Sequence, residues 1–208
     1  METHHQMPSG LQQFTEHSFE WVIIIVSLIF LVYLARTIKN EKSSYLAKAS
    51  LLDFKNFQLL IPSWWSLEES KISNTLSYKR TDTYYDWKAK FSWLPLREKD
   101  NNKDLKEIFA ELVSDKNIQF DTAEAVIKEK EQFISHPLHQ SPETDFIRVE
   151  GTATEDYEHR IYYDAFLVKD TLQNGLLFCE SRSSILNGML EGPYFEEVIC
   201  RMDKKREP

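Results

Sequence analysis

Histidine and cysteine side chains are the residues of this sequence best suited to metal binding or nucleophilic chemistry. His136 and His139 occur in the run His136-Pro-Leu-His139, while Cys179 and Cys200 stand alone. A zinc site needs three or four ligands, and a nucleophilic cysteine needs a base beside it. Neither set follows from these spacings, so we predict a solvated loop around the histidines, inert buried thiols, and no catalytic, cofactor or metal site.

Composition argues against several other kinds of chemistry. The 208 residues include only 5 glycines, which form neither a Gly-x-Gly-x-x-Gly nor a phosphate-binding loop. The formal net charge of −8 argues against nucleic acid as a partner. Acidic residues such as Glu150 and Asp164 could supply a carboxylate pair for acid–base catalysis, but no spacing singles out two of them. An enzyme with an unrecognised hydrolytic site is therefore the least favoured alternative.

Aromatic residues are concentrated in one stretch of the chain. Trp64, Trp65, Trp87 and Trp93 lie close together in sequence, accompanied by Tyr84 and other tyrosines. Trp87 and Trp93 fall on one face of a strand and are expected in the core. Adjacent residues of an extended chain face opposite ways, so Trp64 and Trp65 cannot both do so. We predict a partner or ligand surface that includes Trp64, Trp65 and Tyr84, because exposed tryptophan is a good interface anchor.

The run from Trp21 to Ala35 contains no charged residue. With its flanks, Phe19–Ile38 gives about 30 Å of helix, enough to cross a bilayer. Trp21 and Tyr33 suit the two membrane interfaces, and Arg36 can extend toward the headgroups. A cleaved signal peptide and a buried core helix are the alternatives, but the first needs a basic start and a small-residue cleavage site. We therefore predict a retained transmembrane helix.

Charge on the two sides of this span predicts its orientation. The N-terminal side carries acidic residues and no lysine or arginine, whereas the following twenty residues carry five cations. The positive-inside rule therefore predicts an external N-terminus and a cytoplasmic C-terminal domain at the cell membrane. Four of these cations could also contact anionic lipid headgroups: Arg36, Lys39, Lys42 and Lys48.

The remaining sequence predicts an α+β fold, an antiparallel sheet packed with two or three helices. Strands are predicted at 57–61, 72–80 and 85–93, the last ended by Pro95, and a helix at 103–114. Residues 118–133 fit either helix or strand. A meander is predicted at 146–153, 161–169 and 176–183, with a type I′ turn at Asn174-Gly175 and a last helix that begins at Gly192-Pro193.

The order of these elements resembles that of the PsbP-like superfamily. The resemblance rests on Ile61-Pro-Ser-Trp64 after the opening strand, Arg148-Val-Glu-Gly151 in the meander and Gly192-Pro-Tyr-Phe195 at the closing helix. It implies an α/β/α sandwich over roughly residues 55–203 and a role in binding proteins, with no common catalytic residues.

These observations predict a single-pass membrane protein with a cytoplasmic protein-interaction or scaffold module. A binding domain for a small apolar or lipid ligand is the alternative. The expected organisation is a polar tail (1–18), a transmembrane helix (19–38), a basic linker (39–54), the α+β domain (55–203) and a charged tail (204–208).

Overall fold

The computed structural model describes residues 9–68, 74–80, 86–121 and 125–205. They form two compact units that divide between Lys48 and Ala49. The first unit is helix α1, Ser9–Lys48. Its segment Glu20–Thr37 is long and apolar enough to cross a membrane and is not buried against other parts of the protein.

The second unit combines helices α2 (Leu105–Ser114) and α3 (Ile185–Cys200) with strands and short 3-10 turns. The strands are β1 (Ser50–Phe54), β2 (Phe57–Ile61), β3 (Trp65–Glu68), β4 (Thr75–Arg80), β5 (Lys88–Pro95), β6 (Ile118–Phe120), β7 (Val126–Glu129), β8 (Thr144–Glu155), β9 (His159–Asp170), β10 (Gly175–Ser183) and β11 (Asp203–Lys204). The 3-10 turns are Glu98–Asp100, Lys130–Gln132 and Pro137–Gln140.

Two antiparallel sheets organise this unit. The large sheet has the order β3-β4-β5-β10-β9-β8-β6, with β7 also paired to β8, and the small sheet has the order β1-β2-β11. Alternation along β9 directs Tyr163 and Leu167 into the core under α2 and directs Asp164 and Phe166 to the opposite face. Helix α3 packs on that opposite face, where the rings of Phe195 and Phe91 lie 6.2 Å apart.

The α+β class, the antiparallel sheet and the meander are confirmed. The predicted strand at 85–93 is observed as β5, with Ala89 and Phe91 buried and Pro95 as its last residue. The predicted strand at 72–80 is observed from Thr75, and positions 72, 73 and 85 lie outside the described residues. Residues 118–133, ambiguous in sequence, contain β6, β7 and a 3-10 turn.

The predicted start of the last helix is wrong. Helix α3 begins at Ile185, and Pro193 lies inside it. Gly188 and Gly192-Pro193 normally indicate helix ends. Here Gly188 has a packing role, because a Cβ at this position would overlap the side chain of Tyr162.

The turn before β10 also differs from the prediction. Asn174 has φ 47°, but the described residues with positive φ do not include Gly175, so the turn is not type I′. Asp170 instead accepts hydrogen bonds from the backbone of Leu172 and Gln173 at 3.1 and 3.2 Å. Gly175 is required by close packing, since a Cβ there would overlap the ring of Trp93.

The segments expected as a linker (39–54) and a C-terminal tail (204–208) contain regular structure. Helix α1 continues to Lys48, and β1 pairs with β2. At the other end, Lys204 of β11 pairs with Phe57 of β2. Short strands such as β1 and β11 have little periodicity of their own and form because β2 offers two free edges.

Candidate functional site

The two adjacent tryptophans of the predicted surface have different environments. Trp65 is 5% exposed, and its ring centroid lies 4.4 Å from that of Trp87. Its indole Nε1 donates to Glu191 Oε2 at 3.2 Å. Trp65 therefore belongs to the core, while Tyr84 lies outside the described residues.

Trp64 is half-buried and faces helix α3. Its ring packs edge-on against the ring of Tyr194, with centroids 5.0 Å apart and planes at 82°. The part of the surface that includes Trp64 is therefore continuous with α3.

Helix α3 is apolar on both sides. Its inner side buries Phe195, Val198 and Ile199 completely. On its outer side Leu186 is 76% exposed and Leu190 is 51% exposed. A helix that is apolar all round is normally covered on both sides.

We use the name α3 outer surface for the exposed leucines together with their neighbours: Trp64, Leu186, Leu190, Pro193 and Tyr194. Leu186, Leu190 and Pro193 have the i, i+4, i+7 spacing of one helical face, and Pro193 is exposed. Sequence reasoning missed both leucines because it started the helix at Gly192. Their spacing was the signal that could have found them.

A distant aspartate fixes the start of α3. The backbone N–H of Ser184, the N-cap residue, donates to Asp86 Oδ2 at 2.8 Å, and Asn187 Nδ2 donates to Oδ1 at 2.7 Å. Burial raises the pKa of the Asp86 carboxyl, but the hydrogen bonds from Asn187 and Ser184 lower it further, so the pKa lies below its usual value. Asp86 thus satisfies helix N-terminal groups that the short Ser184 side chain does not.

A buried ion pair holds the inner side of the same helix. Glu191 is completely buried and pairs with the guanidinium of Arg80. The indole N–H of Trp65 donates to the same carboxylate. These contacts from β3 and β4 fix α3 on the sheet and leave its outer side free for contacts.

The thiols have no environment that would activate them. Cys179 is completely buried, and burial raises its thiol pKa well above the usual value. Burial also raises the pKa of Cys200 to about 11. Both are inert at neutral pH, because the thiolate is the nucleophile.

His136 is buried, so the prediction of a solvated loop is wrong for this residue. Its Nε2 lies 2.8 Å from the carbonyl oxygen of Ile199, and its Nδ1 accepts from the backbone N–H of Leu138 at 3.1 Å. These partners require a neutral ring that donates from Nε2. The ring of Phe166 stacks on it at 5.6 Å. No cluster of metal-ligating side chains occurs among the described residues.

The carboxylates considered for acid–base chemistry are bound to Arg148. Its Nε and Nη2 donate to the two oxygens of Asp164 at 3.0 and 2.8 Å, and Nη2 also donates to Glu150 at 2.6 Å. Burial raises the pKa of Asp164 to about 6, although the bonds from Arg148 lower it. Arg148 and Asp164 are fully buried, so this arrangement is a structural ion pair.

An apolar groove lies between α2 and the edge of the large sheet. Its volume is about 560 Å³, and its lining includes Phe109, Val113, Phe120, Ile127 and Val149. This volume falls within the range of small-molecule sites.

The predicted membrane-contact residues all lie in α1. Trp21 and Tyr33 are 63% and 65% exposed, and Arg36 and Lys48 are also exposed. Lys39 and Lys42 occur in the same helix. This arrangement meets the length and composition required of a membrane span, which a signal sequence also meets.

No family model matches the sequence, and no curated protein matches it. Solved structures do match, each over 75% of this chain. A variant of the protein Mog1 has 8% identity, a TM-score of 0.48 and 95% of its own chain covered. The Saccharomyces cerevisiae Ran-binding protein Mog1p has 8% identity, a TM-score of 0.46 and 95% covered.

A cyanobacterial PsbP from Synechocystis has 12% identity and a TM-score of 0.46, and the match covers 75% of this chain and 93% of that chain. The matches to PsbP and Mog1 agree with the predicted resemblance to the PsbP-like superfamily. At this identity and TM-score the similarity concerns the outline of the fold alone.

Proposed function

We propose that this chain is a single-pass membrane protein whose α+β domain binds a protein partner through the α3 outer surface. In this proposal the segment Phe19–Ile38 crosses the cell membrane, the N-terminus is outside, and the domain acts in the cytoplasm as a non-enzymatic interaction module. The basic residues after the span favour this orientation, because five cations follow it and none precedes it. They can also rest on anionic headgroups.

The apolar outer side of α3 is the observation that carries the proposal. Leu186 and Leu190 are exposed by 76% and 51%. Complete burial of a leucine side chain contributes roughly 1.5–3 kcal/mol. A partner that covers both leucines and the edge of Trp64 therefore gains a compact apolar centre of the kind that dominates binding energies.

The shape of the surface indicates the chemistry of the partner. The i, i+4, i+7 spacing presents a ridge about two turns long, and such a ridge packs into the groove of another helix. We therefore propose an amphipathic helix of the partner, whose apolar face lies along α3.

A charge substitution at the centre of this surface tests the proposal. Glutamate at an exposed leucine has little effect on folding but places an unpaired charge in the interface. We expect Leu190→Glu and Leu186→Glu to remove the crosslinked partner in native membranes while the domain stays folded. Leu172→Glu is the matched control, because Leu172 is 73% exposed and lies in the β9–β10 loop.

Crosslinked products are compared for the wild type and the three variants, with circular dichroism as the folding measurement. A product that Leu190→Glu removes and Leu172→Glu preserves supports the proposal. The same products in all four proteins would rule out α3 as the binding surface.

A small apolar or lipid ligand is a second candidate function, favoured by the groove beside α2. Ala110 lines this groove and is exposed on α2, so a large side chain there fills the groove from its open side. We expect the full chain to bind a fluorescent fatty acid in neutral detergent micelles and Ala110→Trp to lose this binding. Equal fluorescence enhancement in both proteins would exclude the groove as the binding site.

A further inference from the structure

A second cleft lies on the α2 side of the large sheet and is charged. Its volume is about 240 Å³, and β5 and β10 contribute Lys88, Lys90, Glu180 and Arg182 to its lining. Adjacent strands bring cations together here, because Lys79 of β4 is opposite Lys88 of β5, and Lys88 is opposite Arg182 of β10. Like charges directly opposite each other destabilise a sheet.

The carboxylates of this cleft already have cationic partners. Glu180 pairs with Lys116 at 2.5 Å, Glu155 pairs with Arg182 at 2.5 Å, and Glu68 pairs with Lys79 at 3.2 Å. The hydroxyl of Tyr163 also donates to Glu180 Oε2 at 2.5 Å. These three pairs neutralise three cations.

Two lysines remain after this pairing. Lys88 and Lys90 stand on the same face of β5, two residues apart, and both line the cleft. Neither has an ion-pair or hydrogen-bond partner within the described ranges. The site therefore carries an excess of two positive charges, in a chain whose net charge is −8.

We propose that this cleft binds a small dianion of the phosphate monoester class, held by Lys88 and Lys90. A dianion matches the excess charge, and lysine binds phosphate as a compact point charge. The Tyr163 and Lys116 contacts hold the Glu180 carboxylate against the protein and reduce its repulsion of the ligand. The bound anion would also relieve the repulsion among Lys79, Lys88 and Arg182. This site is independent of the α3 outer surface.

Titration of the full chain in uncharged detergent tests the site by calorimetry. The two probes are inorganic phosphate and dihexanoylphosphatidic acid, which carries the same group on a soluble lipid. We expect Lys88→Gln/Lys90→Gln to weaken binding by at least about tenfold, because two charge contacts are lost. Lys99→Gln is the control, since Lys99 is an exposed lysine outside the cleft.

Weakening for both probes shows a site for the phosphate group from either source. Weakening for inorganic phosphate alone indicates a soluble ligand, and weakening for the lipid alone indicates a headgroup. Equal affinity of the wild type and the double variant for both probes would overturn the proposal, as would an equal loss in Lys99→Gln. Unchanged circular dichroism excludes unfolding as the cause of a loss.

Discussion

Several polar side chains in the interior of the domain bind groups that lie far away along the chain. His136 bonds to the carbonyl of Ile199, which is 63 residues away, and Glu191 bonds to Trp65, which is 126 residues away. Each contact satisfies a buried polar group that would otherwise cost free energy. These residues therefore fix how α3 and the loop after β7 pack on the sheet, and they perform no chemistry.

The neutral state of His136 makes stability depend on pH. Desolvation lowers its pKa, and the hydrogen bond to Ile199 only partly opposes this. The unfolded chain binds a proton near the usual histidine pKa of about 6.5, so we expect the free energy of unfolding to fall as pH decreases below that value. Thermal unfolding followed by tryptophan fluorescence at several pH values measures this.

The variant His136→Phe should reduce this pH dependence and cost roughly 1–3 kcal/mol at neutral pH, because the N–H of Leu138 and the carbonyl of Ile199 lose their partner. His159→Phe is the control, since His159 is exposed. An unchanged pH dependence in His136→Phe would contradict the assignment.

The buried pair of Arg148 and Asp164 predicts a large effect of a single substitution. Arg148→Met leaves Asp164 buried without its cation, which costs about 3–5 kcal/mol. The control Arg160→Met removes a surface arginine whose side chain is 55% exposed and should change stability by less than about 1 kcal/mol. Urea unfolding compares the two, and similar midpoints would argue against the pair as a structural contact.

At the level of elements, α3 combines an inner side that completes the core with an outer side that remains apolar. Its position depends on contacts with residues 80, 86 and 162 rather than on its own sequence. Gly188 lets the helix lie on the ring of Tyr162, and Asp86 caps its first turn across 98 residues of chain. A helix held in this way presents a rigid surface, which reduces the entropy lost on binding.

The distant cap can be removed by one substitution. Asp86→Ala takes away acceptors for the N–H of Ser184 and the amide of Asn187, and we expect a loss of about 1–2 kcal/mol. Since the pKa of Asp86 is lowered, its contribution is present above the usual carboxyl pKa and decreases as pH falls through the lower folded-state value. Chemical unfolding at neutral and acid pH measures both effects, with the exposed Glu98→Ala as control. Equal stabilities of the two variants at neutral pH would disprove the capping role.

Local sequence patterns predicted the elements whose periodicity is long enough to read. The alternation along β5 identified the buried Ala89 and Phe91, and the meander of β8, β9 and β10 followed from similar runs. The start of α3 could not be predicted because Asp86 supplies its cap from a distant segment. The exposure of Trp64 and the burial of Trp65 agree with their opposite directions, but the leucines of the α3 outer surface became apparent only when the helix was seen to begin at Ile185.

At the scale of the whole molecule, the chain combines an uncharged helical segment with an acidic domain. The segment Glu20–Thr37 meets the length and composition of a membrane span, and the basic residues that follow it separate it from the domain. In the proposed arrangement the anchor confines the domain near the bilayer, which raises its effective concentration for partners in the same membrane.

Reporter fusions at the two ends test the proposed orientation. Because positive charge follows the span, we expect a C-terminal fusion to a reporter that is active only in the cytoplasm to be active, and the same N-terminal fusion to be silent. Replacement of Arg36, Lys39, Lys42 and Lys48 by glutamine should weaken this preference. Activity of the C-terminal reporter only outside the cytoplasm would reverse the orientation.

Site-specific photocrosslinking tests the central claim most directly. A photoreactive amino acid is introduced at position 190 or at position 172 of the full chain in its native membrane, and the products are identified by mass spectrometry. We predict a discrete heterologous product from position 190 that is lost when Leu186 is replaced by glutamate, and no such product from position 172. Products only with a second copy of the chain, or the same products from both positions, would contradict a partner-binding role for α3.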